Sequence, residues 1–141
     1  MLDEYDSSIK RCQLVLVELF SGLRPASRAA RFLRLPLVAS YYSEVCPDAL
    51  ALSAEHAPED KSLGDVDNLS DEAVRQIGRD RPNAAICVTV GPPCVNVSLL
   101  NEHRSGAWGA ESALREHAKR VYDLFCKHAK GRTLGWMECT F

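Results

Sequence analysis

Ala84-Ala-Ile-Cys-Val-Thr-Val90 is a short, β-branched and nearly uninterrupted apolar run, and Gly91-Pro92-Pro93-Cys94 stops it. A run apolar on both faces, and this brief, reads as a strand buried inside a parallel sheet. Cys94 then stands at the carboxyl end of that strand, where open α/β sheets gather their ligands and chemistry. The two prolines direct it, because proline locks its own φ and keeps the preceding residue extended. From these residues alone, a presented nucleophile and an incidental thiol after a rigid turn are both open readings.

Upstream, Cys12-Gln-Leu-Val-Leu-Val-Glu-Leu-Phe20 is a second apolar run and reads as strand one, ended by Ser21-Gly22. Pro25 suits the first turn of a helix, and Ala26 to Arg34 supply good helix formers. Leu37 to Glu44 reads as strand two, followed by a helix over Pro47 to His56. A polar connection over residues 57–62 leads to a brief third strand at Leu63-Gly-Asp65-Val66. Ser70 caps a helix expected to close at Gly78. Beyond the Cys94 strand, residues 99–109 have no periodicity and read as a loop over the crevice. The longest helix spans about residues 110 to 130, with Leu114, Ala118, Val121, Phe125 and Ala129 on one face and Gly131 as its cap. Thr133 to Glu138 is the fifth strand.

Five strands with intervening helices predict an α/β fold: a doubly wound, open parallel sheet in the order 3-2-1-4-5. Ser21, Glu44, Asp65, Cys94 and Glu138 then all fall on one carboxyl rim. Glu44 follows the first turn at the distance where such folds place a ribose-binding carboxylate. It equally suits a solvated acid at a helix N-terminus. Asp65 suits either an adenine amino group or a turn.

A chain of 141 residues accommodates one domain, expected over 12–141 with residues 1–11 disordered. It is 46% apolar and 26% charged, with a net charge of -2, so no basic field advertises a polyanion partner. No apolar run approaches the roughly 20 residues that span a bilayer, and the acidic N-terminus lacks a signal-peptide layout. The expectation is an intracellular protein with no membrane partner, nuclear if eukaryotic. Six cysteines and four histidines form no ligand cluster, so neither a metal nor a structural disulfide is expected. Cys12, Cys87 and Cys126 lie in apolar runs and read as small buried hydrophobes.

The ordered set Glu18-Leu-Phe20-Ser-Gly22, Ser43-Glu44-Val45-Cys46, Gly64-Asp65-Val66, Gly91-Pro92-Pro93-Cys94 with Asn96 and Ser98, and Trp136-Met-Glu138 resembles the cytosine-C5 DNA methyltransferases, closest to the eukaryotic de novo type. Asn101, Arg104 and Gly106 resemble that group's loop after the cysteine. The resemblance covers roughly residues 13 to 140. It implies S-adenosylmethionine as cofactor, with Phe20, Ser21 and Gly22 near its methionine part, Glu44 at the ribose hydroxyls and Val45 a further cofactor contact. Asp65 and Val66 would lie at the adenine, and Pro92 and Leu114 would complete the wall. It implies Cys94 as the nucleophile at C6 of a flipped cytosine and Glu138 as the acid at N3. Pro93, Asn96, Ser98 and Arg104 would contact the DNA substrate.

Departures accompany it. The acid motif reads Glu138-Cys139-Thr140 where the family usually has Glu-Asn-Val, and the first turn carries Arg24-Pro25, a charge partner or an obstruction for the cofactor. The chain ends just after the fifth strand, so the expected domain is incomplete and lacks a target-recognition region. The alternatives are a non-catalytic or truncated module binding S-adenosylmethionine or a partner protein, or an unrelated cysteine enzyme on the same sheet. An exposed sheet edge would favour self-association or a partner.

Overall fold

The computed structural model describes residues 13–91, 114–129 and 132–137. Among these described residues, five strands form one parallel sheet: β1 (Leu14–Leu19), β2 (Leu37–Ser43), β3 (Lys61–Ser62), β4 (Ala85–Val90) and β5 (Thr133–Met137). Their order is β3-β2-β1-β4-β5, as the alternation of strands and helices predicts. The helices are α1 (Pro25–Phe32), α2 (Pro47–His56), α3 (Asp71–Asp80) and α4 (Leu114–His128), with one 3₁₀ turn at Val66–Asn68.

The two faces of β1 explain the layering. Val15, Val17 and Leu19 are at most 1% exposed and join Val74 and Ile77 of α3 and Val121 and Phe125 of α4 in the main core. The alternating residue Glu18 points the other way, onto α1. Of the apolar face expected on α4, Ala118, Val121, Phe125 and Ala129 are fully buried and Leu114 is half-buried. Arg120 of α4 donates to the carbonyls of Val66 and Leu69 at 3.0 Å each, tying that helix to the 3₁₀ turn.

Local signals place the helix ends. Pro25 and Pro47 open α1 and α2 at their first turns, and the Ser70 hydroxyl accepts from the Ala73 N–H at 3.1 Å to cap α3. Three expectations need correcting. The third strand lies at Lys61–Ser62, within the stretch read as a polar connection. Its ladder ends where the Leu63 N–H donates to Tyr42 O at 2.7 Å, and Gly64 then turns the chain at φ 71°. Helix α3 runs through Gly78 to Asp80; Gly78 faces the His128 backbone of α4, so helix packing and not termination uses it. Cys126 is exposed and Cys87 half-buried, since Cys126 falls on the solvent side of α4. Residues 1–12, the 99–109 loop, Gly131, and among the site candidates Pro92, Pro93, Cys94, Asn96, Ser98, Arg104 and Glu138, lie outside the described residues.

Candidate functional site

Because every pairing in the sheet is parallel, all strands deliver their carboxyl ends to one rim. Leu19 is in register with Ser43 on one side and Val90 on the other, and Val90 with Met137. Phe20, Glu44 and Gly91 therefore leave the sheet side by side. The chain moves outward from β1 in opposite directions to β2 and β4, which makes this the topological switch point where such sheets bind ligands.

A trough of about 300 Å³ opens at that point, at the lower end of the range for small-molecule sites. Phe20, Glu44, Val45, Asp65, Val66 and Leu114 all line it, so six of the eight described cofactor candidates meet in one place. Ser43, Asp67 and Gly91 complete the wall. The Glu44 carboxylate is held in a fixed attitude: one oxygen accepts from the Gly22 N–H at 2.7 Å, the other from the N–H groups of Val45 and Cys46 at 2.8 and 2.9 Å. The carboxylate thus ties down the chain just ahead of α2 and also lines the trough. Asp65 accepts from the Asp67 N–H at 3.0 Å, which is the turn role, while lining the same trough. Gly22, at φ 49°, does not line the trough itself but reaches it as the donor to Glu44.

Ser21 lines a neighbouring hollow of about 290 Å³ between the tips of β1, β4 and β5, with Glu18, Thr89, Gly91 and Trp136. The Ser21 hydroxyl is buried and finds no hydrogen-bond partner among the described residues. An orphaned buried hydroxyl beside a hollow is a donor available to an incoming group. Phe20 and Gly91 line both spaces, so the two adjoin along the rim.

Sequence reasoning gave no role to Glu18. It is 2% exposed, and its carboxylate accepts from the N–H groups of Ala26 and Ser27 at 2.8 and 3.1 Å, closing the N-terminus of α1. Burial pushes its carboxyl up, the two backbone donors pull it down, and the nearby Asp60 charge adds to the rise. The signal was the single acid inside the apolar run Leu14–Leu19. Since Glu18 occupies these helix donors, an anionic ligand group at this rim must find others.

Arg24 is neither a charge partner nor an obstruction for a ligand in the trough. Its side chain turns inward, 2% exposed, donating to the carbonyls of Ser53 and Ala57 and pairing with Asp60 at 3.2 Å. Asp60 also accepts from the Ser27 hydroxyl at 2.8 Å and from Arg31 at 2.6 Å. Cys87 sits mid-strand, its thiol raised in pKa by burial and then by the Glu18 charge, and is thus unsuited to nucleophilic work. No group of His, Cys, Asp and Glu among the described residues could hold a metal ion, and no described helix is long and apolar enough to cross a membrane.

No protein-family model matches the chain, and no curated protein does. The crystal structure of TrmN from Thermus thermophilus aligns over 94% of this chain and 33% of its own, at 19% identity and a TM-score of 0.41. The chain thus spans about a third of that neighbour's length. In its own right the sheet, parallel and ordered 3-2-1-4-5 with helices between its strands, has a Rossmann-like, doubly wound arrangement.

Proposed function

We propose that the chain binds S-adenosylmethionine along the carboxyl rim and carries the nucleophile of a DNA (cytosine-5-)-methyltransferase. The observation that carries this reading is the trough itself, where Glu44, Asp65, Val66 and Leu114 meet from the end of β2, the 3₁₀ turn and α4. The residues present suit the cofactor chemically. Beside its three backbone donors the oriented Glu44 carboxylate keeps capacity to accept a ribose hydroxyl, the Asp65 carboxylate can accept an adenine amino group, and Phe20, Val66 and Leu114 offer apolar walls. The Ser21 hydroxyl, without a partner among the described residues, is a donor for the cofactor's amino-acid end, near Gly22. When bound, the cofactor supplies an electrophilic methyl group.

The protein's own steps follow from the residue types. Cys94 stands three residues after Gly91 and Glu138 one residue after Met137, on the continuations of two paired strands. The Cys94 thiolate adds to C6 of a cytosine flipped out of its duplex, while Glu138 donates a proton at N3. C5 thereby becomes nucleophilic and accepts the methyl group. Loss of the C5 proton to solvent, expulsion of the Cys94 thiolate and return of the N3 proton to Glu138 then restore the neutral aromatic ring. Pro93, Asn96, Ser98 and Arg104, in the segment following β4, would bound the DNA substrate.

A second reading, a cofactor-binding module that works through a partner protein, is favoured by the outer strand. Leu134, Trp136 and Met137 of β5 are 63%, 68% and 48% exposed on an edge strand. Two measurements separate the readings. Isothermal titration should give S-adenosylmethionine binding to the full chain, weakened about 10- to 100-fold by Glu44→Ala, as expected for losing a hydrogen bond to a charged group. DNA bearing 5-fluorocytosine should be trapped covalently by the wild type and not by Cys94→Ser. Binding without trapping supports the module; absence of heat at high cofactor concentration would sink both readings, and trapping that survives in Cys94→Ser would reassign the nucleophile.

A further inference from the structure

Between β1 and α1 the chain passes Phe20, Gly22 and Arg24 through the left-handed region, at φ 55°, 49° and 54°. Glycine enters that region freely; an arginine does not, because its Cβ crowds the following carbonyl. Something must hold Arg24 there. Its guanidinium is gripped by the last turn of α2, through the Ser53 and Ala57 carbonyls, and by Asp60, and it lies 4.4 Å from the centroid of the Tyr42 ring. The same turn of α2 also reaches the loop directly, the Ser53 hydroxyl donating to the Gly22 carbonyl at 3.2 Å. Gly22 in turn donates its N–H to Glu44.

We infer that Arg24 is a positioning residue for the cofactor trough: its buried side chain clamps the turn in the shape that aims the Gly22 N–H at the Glu44 carboxylate. The inference rests on the trough being the S-adenosylmethionine site. Arg24 itself does not line the trough; it acts through Gly22 and Glu44. The burial explains why arginine serves where the backbone alone asks for glycine. A glycine would relieve the left-handed strain but, among the described hydrogen bonds, leave the turn tied to α2 through Ser53 alone.

The test compares the wild-type full chain with Arg24→Met, Arg24→Gly and Arg24→Lys, and with Val121→Ala as a variant destabilised in the core on the other face of the sheet. Two readouts are taken at a temperature where circular dichroism finds each variant folded: S-adenosylmethionine affinity by titration calorimetry, and the amide position of Gly22 in ¹H–¹⁵N spectra. Arg24→Met and Arg24→Gly should bind about tenfold more weakly, the factor that about 1.4 kcal/mol of lost preorganisation produces. Their Gly22 amide should move upfield as its bond to the carboxylate lengthens. Arg24→Lys, which keeps a charge for Asp60, should recover part of both and replaces Arg24→Met if that variant does not fold. Val121→Ala should change neither. Arg24→Gly behaving as wild type would overturn the inference, as would Val121→Ala reproducing its effects. A wild type that binds no S-adenosylmethionine would instead refute the functional reading, leaving the Gly22 amide to decide the role of Arg24.

Discussion

Asp60→Ala is the substitution that most directly probes what holds the rim loop to the sheet. The Asp60 side chain is fully buried, as is that of its partner Arg24, and the two are 3.2 Å apart. The same carboxylate takes a hydrogen bond from Ser27 and a second ion pair from Arg31, which is one-third exposed. Removing one member of a buried pair leaves an uncompensated charge and costs about 3–5 kcal/mol. Arg24 keeps its two carbonyl acceptors, so the low end, about 3 kcal/mol, is expected. Domains of this size are stable by only about 5–15 kcal/mol, so the effect is large. Combined with Arg24→Met, which removes the stranded charge, the loss should fall short of the sum of the two single losses by about 1–3 kcal/mol. Urea unfolding at neutral pH, followed by circular dichroism with the slope checked for constancy, measures all four proteins. A single-variant loss under about 1 kcal/mol, the range of exposed ion pairs, would refute the reasoning. So would strict additivity in the double variant.

The other expectations concern the layers around that network. Folded Glu18 holds its proton more tightly than unfolded glutamate, so folding takes up a proton in that window. Stability should therefore decline as pH rises from about 4.3, the unfolded value, through the raised folded value. Glu18→Gln should flatten that decline in urea midpoints, and an unchanged profile would remove Glu18 as its source. Phe125→Ala, at a fully buried position against β4 and α3, should cost about 3–5 kcal/mol by the same unfolding measurement. In Gly135→Ala the added Cβ would come within 2.5 Å of the Tyr122 ring, so the ring must move. A loss of about 1–3 kcal/mol is expected, and no change in the thermal midpoint would mean that the ring yields freely.

Much of this molecule can be read directly from its residues. The three apolar runs that became β1, β2 and β4, the prolines opening α1 and α2, the serine before α3 and the apolar stripe of α4 are local or periodic signals. They fell within a residue or two of the observed elements. The two-residue β3 carries no such signal, because Lys61 and Ser62 are exposed and are strand only by pairing with Tyr41 and Tyr42. Gly78 misled for a related reason: glycine marks a helix end by default, and only the neighbouring α4 gives it another use.

By itself the sequence determined the alternation of strands and helices, hence the sheet order, and the acids and glycines that such an order must bring to one rim. Periodicity and crossover handedness act through the backbone and need no knowledge of long-range partners. Only the tertiary structure decided what those rim residues do to one another. It turned Arg24 inward onto α2 and Asp60, set Glu18 across the start of α1, and gave the Glu44 carboxylate three backbone donors. Each of these joins residues that are neighbours in space, some far apart in the chain, and a buried charge takes its meaning from the partner that packing brings to it.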